Sequence, residues 1–159
     1  MTLSRALLAL SATLLATSAG GPTTASPAAA SPFGLWLTPD DHGQIEVFAC
    51  QGKLCGRIVT SDKLRADPGL KDAANKDPAL RDRPLKGLVL MKNFAGGPAR
   101  WTGGAIYRPQ DGGTYQGTID LIDARTLKLK GCVVAPLCQT QVWKRAGSRR
   151  KRDTYFSGS

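Results

Sequence analysis

The chain is short of the residues from which most catalytic centres are assembled. Its 159 residues include one histidine, four cysteines and 6% aromatics. The histidine, His42, stands in the turn-like stretch TPDDHG beside Asp40 and Asp41. No serine has an inward-facing histidine to activate it, so no Ser-His-Asp arrangement is expected. Three consecutive turn residues cannot easily converge on one ion, so this stretch reads as an exposed turn. Long apolar runs are missing as well. The stretch from Ala6 to Ala16 is broken by serine and threonine, and it falls short of the about 20 apolar residues that a membrane-spanning helix needs. Acidic residues are scarce, 12 against 22 Lys and Arg, for a formal charge of +10. Such a surface attracts polyanions, yet no aromatic residues are interleaved as stacking platforms. Nucleic acid is therefore not an expected partner; an anionic envelope surface is retained as one.

Residues 1–30 read as an export signal followed by an Ala/Pro/Ser-rich leader. One arginine, Arg5, precedes the apolar run, and small residues follow it at Ala19, Ala25 and Ala30, where cleavage would fit. Residues 147–159 carry the run RRKR without apolar periodicity and read as a disordered basic tail. Between them, residues 31–146 form one domain, long enough for one core. Arg5 and the tail account for part of the charge, leaving about +6 on this body.

The four cysteines form two close pairs, CQGKLC (Cys50, Cys55) and CVVAPLC (Cys132, Cys138). In an exported chain an even count reads as disulfides. Three connectivities are open; each close pair brackets a turn-like stretch, which favours Cys50 with Cys55 and Cys132 with Cys138. Neither pair has the tight spacing usual in four-thiolate zinc sites or the CxxC of a redox centre. Asp72, Asn75 and Asp77 resemble a calcium loop superficially, but the distal glutamate is missing. Capping or self-bonding within the loop is the expected role. No cofactor or metal is expected.

Alternation of apolar and polar residues, punctuated by turn residues, occurs eight times. The runs are Gly34–Leu37, Gln44–Cys50, Leu54–Thr60, Gly87–Phe94, Trp101–Arg108, Thr114–Ile122, Thr126–Cys132 and Cys138–Arg145. Short connectors imply antiparallel neighbours. With almost no helix to cover an open sheet, the economical solution is an all-β, eight-stranded antiparallel up-and-down barrel. The exception is the charged, proline-punctuated stretch Ser61–Lys86 between the third and fourth strands, with at most a helical turn around Pro78–Arg83. A loop this long is often a lid or binding segment.

Cysteine pairing sets the inside and outside. Cysteines facing each other across a hairpin share a face, so Glu46 and Arg57 go outside with Cys50 and Cys55, while Ile45, Val47, Leu54, Gly56 and Ile58 go inside. At the second pair the same parity places Leu127, Leu129 and Gly131 inside. It also turns Gln139, Gln141, Trp143 and Arg145 inward. Two glutamines and an arginine inside need partners, because an unsatisfied buried polar group costs about 1–3 kcal/mol. They form either a satisfied network or a polar-lined pocket. Inner glycines at Gly56, Gly117 and Gly131 either turn corners in the wall or leave room for a ligand.

The motifs GLW at Gly34, CQGKLCGRIV, DxxNKDPxLRDRPLxG from Asp72, WTGGAIYRPQDGGTY from Trp101 and the final TQVWKR together resemble the bacterial secreted family catalogued as domain of unknown function 2147. The resemblance spans about residues 33–146 and implies a lipocalin-like (calycin) barrel exported to the periplasm or beyond; it implies no particular activity or ligand. Calycins share a G-x-W on the first strand whose tryptophan is covered by an arginine from the last. Trp36 and Arg145 match those positions and are expected to form a structural clasp.

The expected function is non-enzymatic: a barrel that takes up a small hydrophobic or amphipathic, partly apolar molecule beneath the Ser61–Lys86 loop. Arg81, Arg83, Trp101, Tyr107, Tyr115, Gln139 and Gln141 are the candidate contacts, with the arginines suited to an anionic head group. A salt bridge from either arginine to Asp72 or Asp77 is the competing, purely structural reading. The alternative function is an envelope interaction or structural module that docks through its basic surface or tail.

Overall fold

The computed structural model describes residues 30–147. The leader expected over 1–30 and the tail expected over 147–159 lie, but for one residue each, outside the described residues. Eight strands follow one another: β1 (Gly34–Leu37), β2 (Gln44–Cys50), β3 (Lys53–Thr60), β4 (Val89–Gly96), β5 (Arg100–Arg108), β6 (Gly113–Asp123), β7 (Thr126–Val134) and β8 (Leu137–Arg145). Each pairs antiparallel with its neighbour, and β8 pairs back onto β1, so the sheet closes into an up-and-down barrel. Closure leaves no edge strand exposed.

The alternation in each strand places its apolar residues inside. Ile45 and Val47 on β2, Leu54 and Ile58 on β3, and Leu127 and Leu129 on β7 are buried, as parity requires. Alternation is broken between β4 and β5. Asn93 (φ 63°) and Gly103 (φ 70°) take the left-handed conformation. They lie between the pairs Lys92↔Ala105 and Ala95↔Thr102. The resulting kink brings both Met91 and Phe94 inside, three residues apart. The Phe94 ring then lies against the two glycines of the facing strands: a Cβ on Gly104 would fall 2.3 Å from it, and one on Gly117 would fall 2.5 Å away. Gly117 therefore makes room for a protein side chain and leaves no space for a ligand.

Both disulfides join the near pairs, Cys50 to Cys55 and Cys132 to Cys138. They sit at opposite ends of the barrel, one beside the β2–β3 turn and the other at the β7–β8 turn. Cys132 and Cys138 are direct register partners, and β7 and β8 continue past them to the pair Val134↔Leu137. The connector is thus two residues, Ala135 and Pro136.

The stretch between β3 and β4 is more ordered than its composition suggests. A short helix, α1 (Asp62–Ala66), is absent from the sequence expectation. It forms because the Ser61 side chain caps it, accepting from the Leu64 N–H, with Asp62 acidic in its first turn. The expected turn near Pro78 is a 3-10 helix over Pro78–Leu80, capped by the Asp77 carboxylate. Leu64 is buried, and Leu70, Leu85 and Leu88 pack against the core. Spaced leucines in a charged loop, not net hydrophobicity, are what seat it on the barrel.

Trp36, the Trp143 indole and Phe94 fill the end from which β1 departs, together with Leu54, Ile119 and Leu127. Over this end lies Arg145. Its guanidinium stands 4.2 Å from the Trp36 ring centroid. Its Nε donates to the Ala124 carbonyl at 2.5 Å and its Nη1 to the Phe33 carbonyl at 2.9 Å; Nη2 donates to the Ser31 carbonyl. Trp36 Nε1 donates to the Pro32 carbonyl at 2.7 Å. Gly34 adopts φ 121°, and a Cβ there would meet Arg145 Nη1 at 3.0 Å, so glycine permits both the backbone turn and the guanidinium's approach. Replacing Arg145 with alanine should cost about 2 kcal/mol, since charged hydrogen bonds and a cation–π contact are lost together. Arg145→Lys should recover little of it, because an ammonium cannot reach three divergent carbonyls. Denaturant midpoints of the two variants check this; wild-type stability in Arg145→Ala would refute it.

Candidate functional site

The other end of the barrel is hollow. A cavity of about 1030 Å³ opens there. Ile45, Ile58, Leu90, Ile106 and Leu129 line it below, from five different strands. Leu64, Leu70 and Leu85 of the β3–β4 segment form one side of its mouth. These leucines are wall material that the sequence reading missed; their spacing among charged residues was the available signal. Gly131 also lines the cavity. A Cβ there would meet Ile106 Cδ1 at 3.5 Å and Tyr115 Cβ at 3.6 Å, ordinary contacts. Unlike Gly104 and Gly117, where an added Cβ would clash with the Phe94 ring, Gly131 has room for one at ordinary contact distance.

Four of the seven candidate contacts, Tyr107, Tyr115, Gln139 and Gln141, lie on the cavity wall. Trp101 does not: it packs at the opposite end, beside Phe94 and the Gly97 turn. Arg81 and Arg83 are not on the wall either. For Arg83 the reason is the buried carboxylate of Asp72, a residue only 1% exposed. Its Oδ2 accepts from Arg83 Nε at 2.8 Å and from Asn75 Nδ2 at 2.7 Å; its Oδ1 accepts from the Tyr107 hydroxyl at 2.6 Å. Arg83 also stacks on the Tyr107 ring, 5.1 Å from its centroid. Arg81 donates instead to the Asn75 carbonyl at 2.8 Å. Both arginines thus hold the loop to itself and to β5, and neither guanidinium is aimed at a ligand.

The glutamines have partners too. Gln141 bridges the floor and the rim: its Oε1 accepts from Trp143 Nε1 at 2.8 Å and its Nε2 donates to Asp40 Oδ2 at 2.6 Å. Gln139 Oε1 accepts from Arg108 Nη1 at 3.0 Å. Arg108 in turn donates through Nε to Asp111 at 3.0 Å and through Nη2 to the Tyr115 hydroxyl at 2.8 Å, and the tyrosine donates to Asp111. The Arg108–Asp111 pair was not foreseen, and a PQDGG connector offers no signal for it. Bonds from Arg108, joined by those from Tyr115 and the Gly113 N–H, outweigh partial burial and hold the Asp111 carboxyl far below the usual carboxylate range. Among the described residues no buried side-chain nitrogen or oxygen lacks a partner.

His42 is not on the cavity wall. Its side chain is 85% exposed and its Nδ1 lies 2.6 Å from the Asp62 carboxylate. Among the described residues no group of three or more His, Cys, Asp or Glu side chains converges on a common point. Asp77 is engaged as a helix cap and Asp72 as the anchor of Arg83, which accounts for the acidic residues that resembled a calcium loop.

The sequence profile of DUF2147, described as an uncharacterized protein conserved in bacteria, matches residues 34–145. The chain belongs to this family. No curated protein matches it. Among solved structures, this DUF2147 chain is similar to protein HP1028 of Helicobacter pylori, described as belonging to the lipocalin family. The two are 24% identical with a TM-score of 0.66, over 72% of this chain and 82% of that one. The likeness is one of fold, a lipocalin-like barrel.

Asp72 makes the loop anchor pH-dependent. Burial raises its affinity for a proton, but the bonds from Tyr107, Asn75 and Arg83 and the Arg83 charge outweigh this and lower its pKa. A lowered carboxyl pKa stabilises the fold above the ordinary carboxylate value of about 4 and ceases to do so as pH falls through the folded-state value. Asp72→Asn should therefore cost about 3 kcal/mol at pH 7, where a buried ion pair is broken. The gap to wild type should narrow as pH drops below about 4. Thermal midpoints of both proteins across pH 2–7 test this; a gap independent of pH would contradict it.

Proposed function

We propose that this protein is an exported binding protein that takes a small, partly apolar molecule into the open half of its barrel. The observation that carries the reading is the hollow itself: a largely apolar chamber of about 1030 Å³ with a polar rim, in a barrel whose other half is filled by large side chains. Ligand sites are concave, mostly apolar and furnished with few polar groups, and the chamber fits that description. The two disulfides suit an oxidising compartment, which supports export. The apolar part of the ligand would lie against Ile45, Ile58, Leu90 and Leu129, with its polar end at the rim.

An anionic head group would not meet Arg81 or Arg83, which are engaged with Asn75 and Asp72. Lys63 is the better partner. It lies on the rim, and its side-chain ammonium makes no ion pair or hydrogen bond among the described residues.

Native mass spectrometry of protein purified from its own host should show a bound molecule that denaturation releases. In vitro, an apolar fluorophore should bind the wild type, and Gly131→Leu should weaken it about tenfold, a loss of about 1.4 kcal/mol, with little change in melting temperature. A stable wild type that binds neither host ligand nor fluorophore, or a Gly131→Leu variant that binds as well, would defeat the proposal.

A further inference from the structure

The β7–β8 hairpin carries an exposed apolar tip that neither the barrel nor its cavity uses up. Val133, Val134 and Leu137 are 70%, 61% and 66% exposed, the three highest values among the large apolar residues described. They sit together because β7 and β8 extend past the disulfide to the pair Val134↔Leu137, with Val133 left unpaired in a bulge. The bond between Cys132 and Cys138, directly opposite one another, fixes the base of this projection. Val133 and Leu137 also line the cavity mouth, so the exposed tip and the apolar chamber form one continuous surface.

We propose that this tip is a wedge that enters a phospholipid bilayer and holds the cavity mouth against it. A stable protein interface needs about 800 Å² from each partner, and a two-residue turn with three apolar side chains is too small and too convex to supply that. A lipid surface needs no such area, because apolar groups bury about 5–10 Å into the headgroup boundary. Strand geometry agrees with that depth. Val134 lies two residues beyond Cys132, about 7 Å along the strand, and Lys130 two residues below it, about 13 Å from the tip. Lys130 points outward, is exposed and pairs in register with Thr140. Its flexible stem would carry the ammonium up to lipid phosphates while the valines sit below them.

The wedge itself stands on the exposure and position of the hairpin. Its use, passing an apolar ligand between bilayer and barrel without crossing water, rests on the proposed function.

Flotation of the purified mature protein with neutral phosphatidylcholine vesicles tests the wedge. It should be run at about 1 M salt, where the Debye length of about 3 Å removes the general attraction of a basic chain. The wild type should float with the vesicles. Val134→Asp, which changes no cavity-wall residue, should reduce the bound fraction at least tenfold, and Ile122→Asp, an exposed apolar position outside the hairpin, should not. Fluorophore binding without vesicles should be the same in Val134→Asp as in wild type. Failure of the wild type to float at high salt, or equal flotation of Val134→Asp, overturns the wedge. A wild-type dimer that Val134→Asp converts to monomer also overturns it, by showing that a second copy covers the tip. Flotation that depends on Val134 in a protein that binds no fluorophore upholds the wedge and leaves the ligand reading to fall alone.

Discussion

Closure between the first and last strands is the constraint on which the rest depends, and it is thin. Only the pairs Trp36↔Arg145 and Leu37↔Lys144 join β1 to β8, whereas β7 and β8 share eight register pairs. Opening that seam would expose unpaired backbone on two edges and the core behind them. The short seam is reinforced by side chains that belong to it. Arg145, itself a seam residue, ties the approach to β1 at Ser31 and Phe33 and the β6–β7 turn at Ala124. One guanidinium thus joins three chain segments that the ladder alone would hold by few hydrogen bonds.

With the seam at one end, the interior divides along its length. Large side chains crowd the clasped end, and the glycines there accommodate them: Gly104 and Gly117 sit under Phe94, and a Cβ on Gly56 would meet Met91 Sδ at 2.8 Å. Towards the mouth the inward residues become medium-sized aliphatics, and Gly131 has Ile106 and Tyr115 only at ordinary contact distance from where a Cβ would stand. An eight-stranded barrel is just wide enough for either a packed interior or a small-ligand cavity. This chain contains both, one above the other.

The barrel was legible because alternation, short connectors and cysteine phase all pointed the same way; consistency across levels is what makes a fold readable. The inward placement of Trp143 and Arg145 follows from that phase, whereas the stacking of Arg145 on Trp36 was expected from the calycin resemblance. Parity says which face a side chain occupies and nothing about its height along the barrel axis. For that reason Trp101 was grouped with Tyr107 and Tyr115, although it lies at the other end. Nor does parity describe a loop. Asp72, whose carboxylate holds Arg83, sits in a segment with no periodicity, so its bond from Tyr107 on β5 becomes visible only in three dimensions. The kink at Asn93 left one trace, Met91 and Phe94 three residues apart where a regular strand spaces inward residues by two, but that trace does not name the left-handed residue.

The hydrogen-bond pattern at the mouth bears on what kind of selectivity such a cavity supports. A site whose buried donors and acceptors wait for a ligand rejects molecules that fail to pair with them, by factors of about 10⁴ or more. Here Tyr107 is paired with Asp72, Tyr115 and Gln139 with the Arg108–Asp111 pair, and Gln141 with Trp143 and Asp40. An occupant that makes no polar contact leaves none of these groups stranded. Discrimination then falls to shape and length, where each methylene counts for only about 1–3 kcal/mol. In the proposed binding role, these paired groups, with Lys63 the one unpaired cation named on the rim, favour a chamber that accepts a range of apolar chains over one built to recognise a single polar ligand.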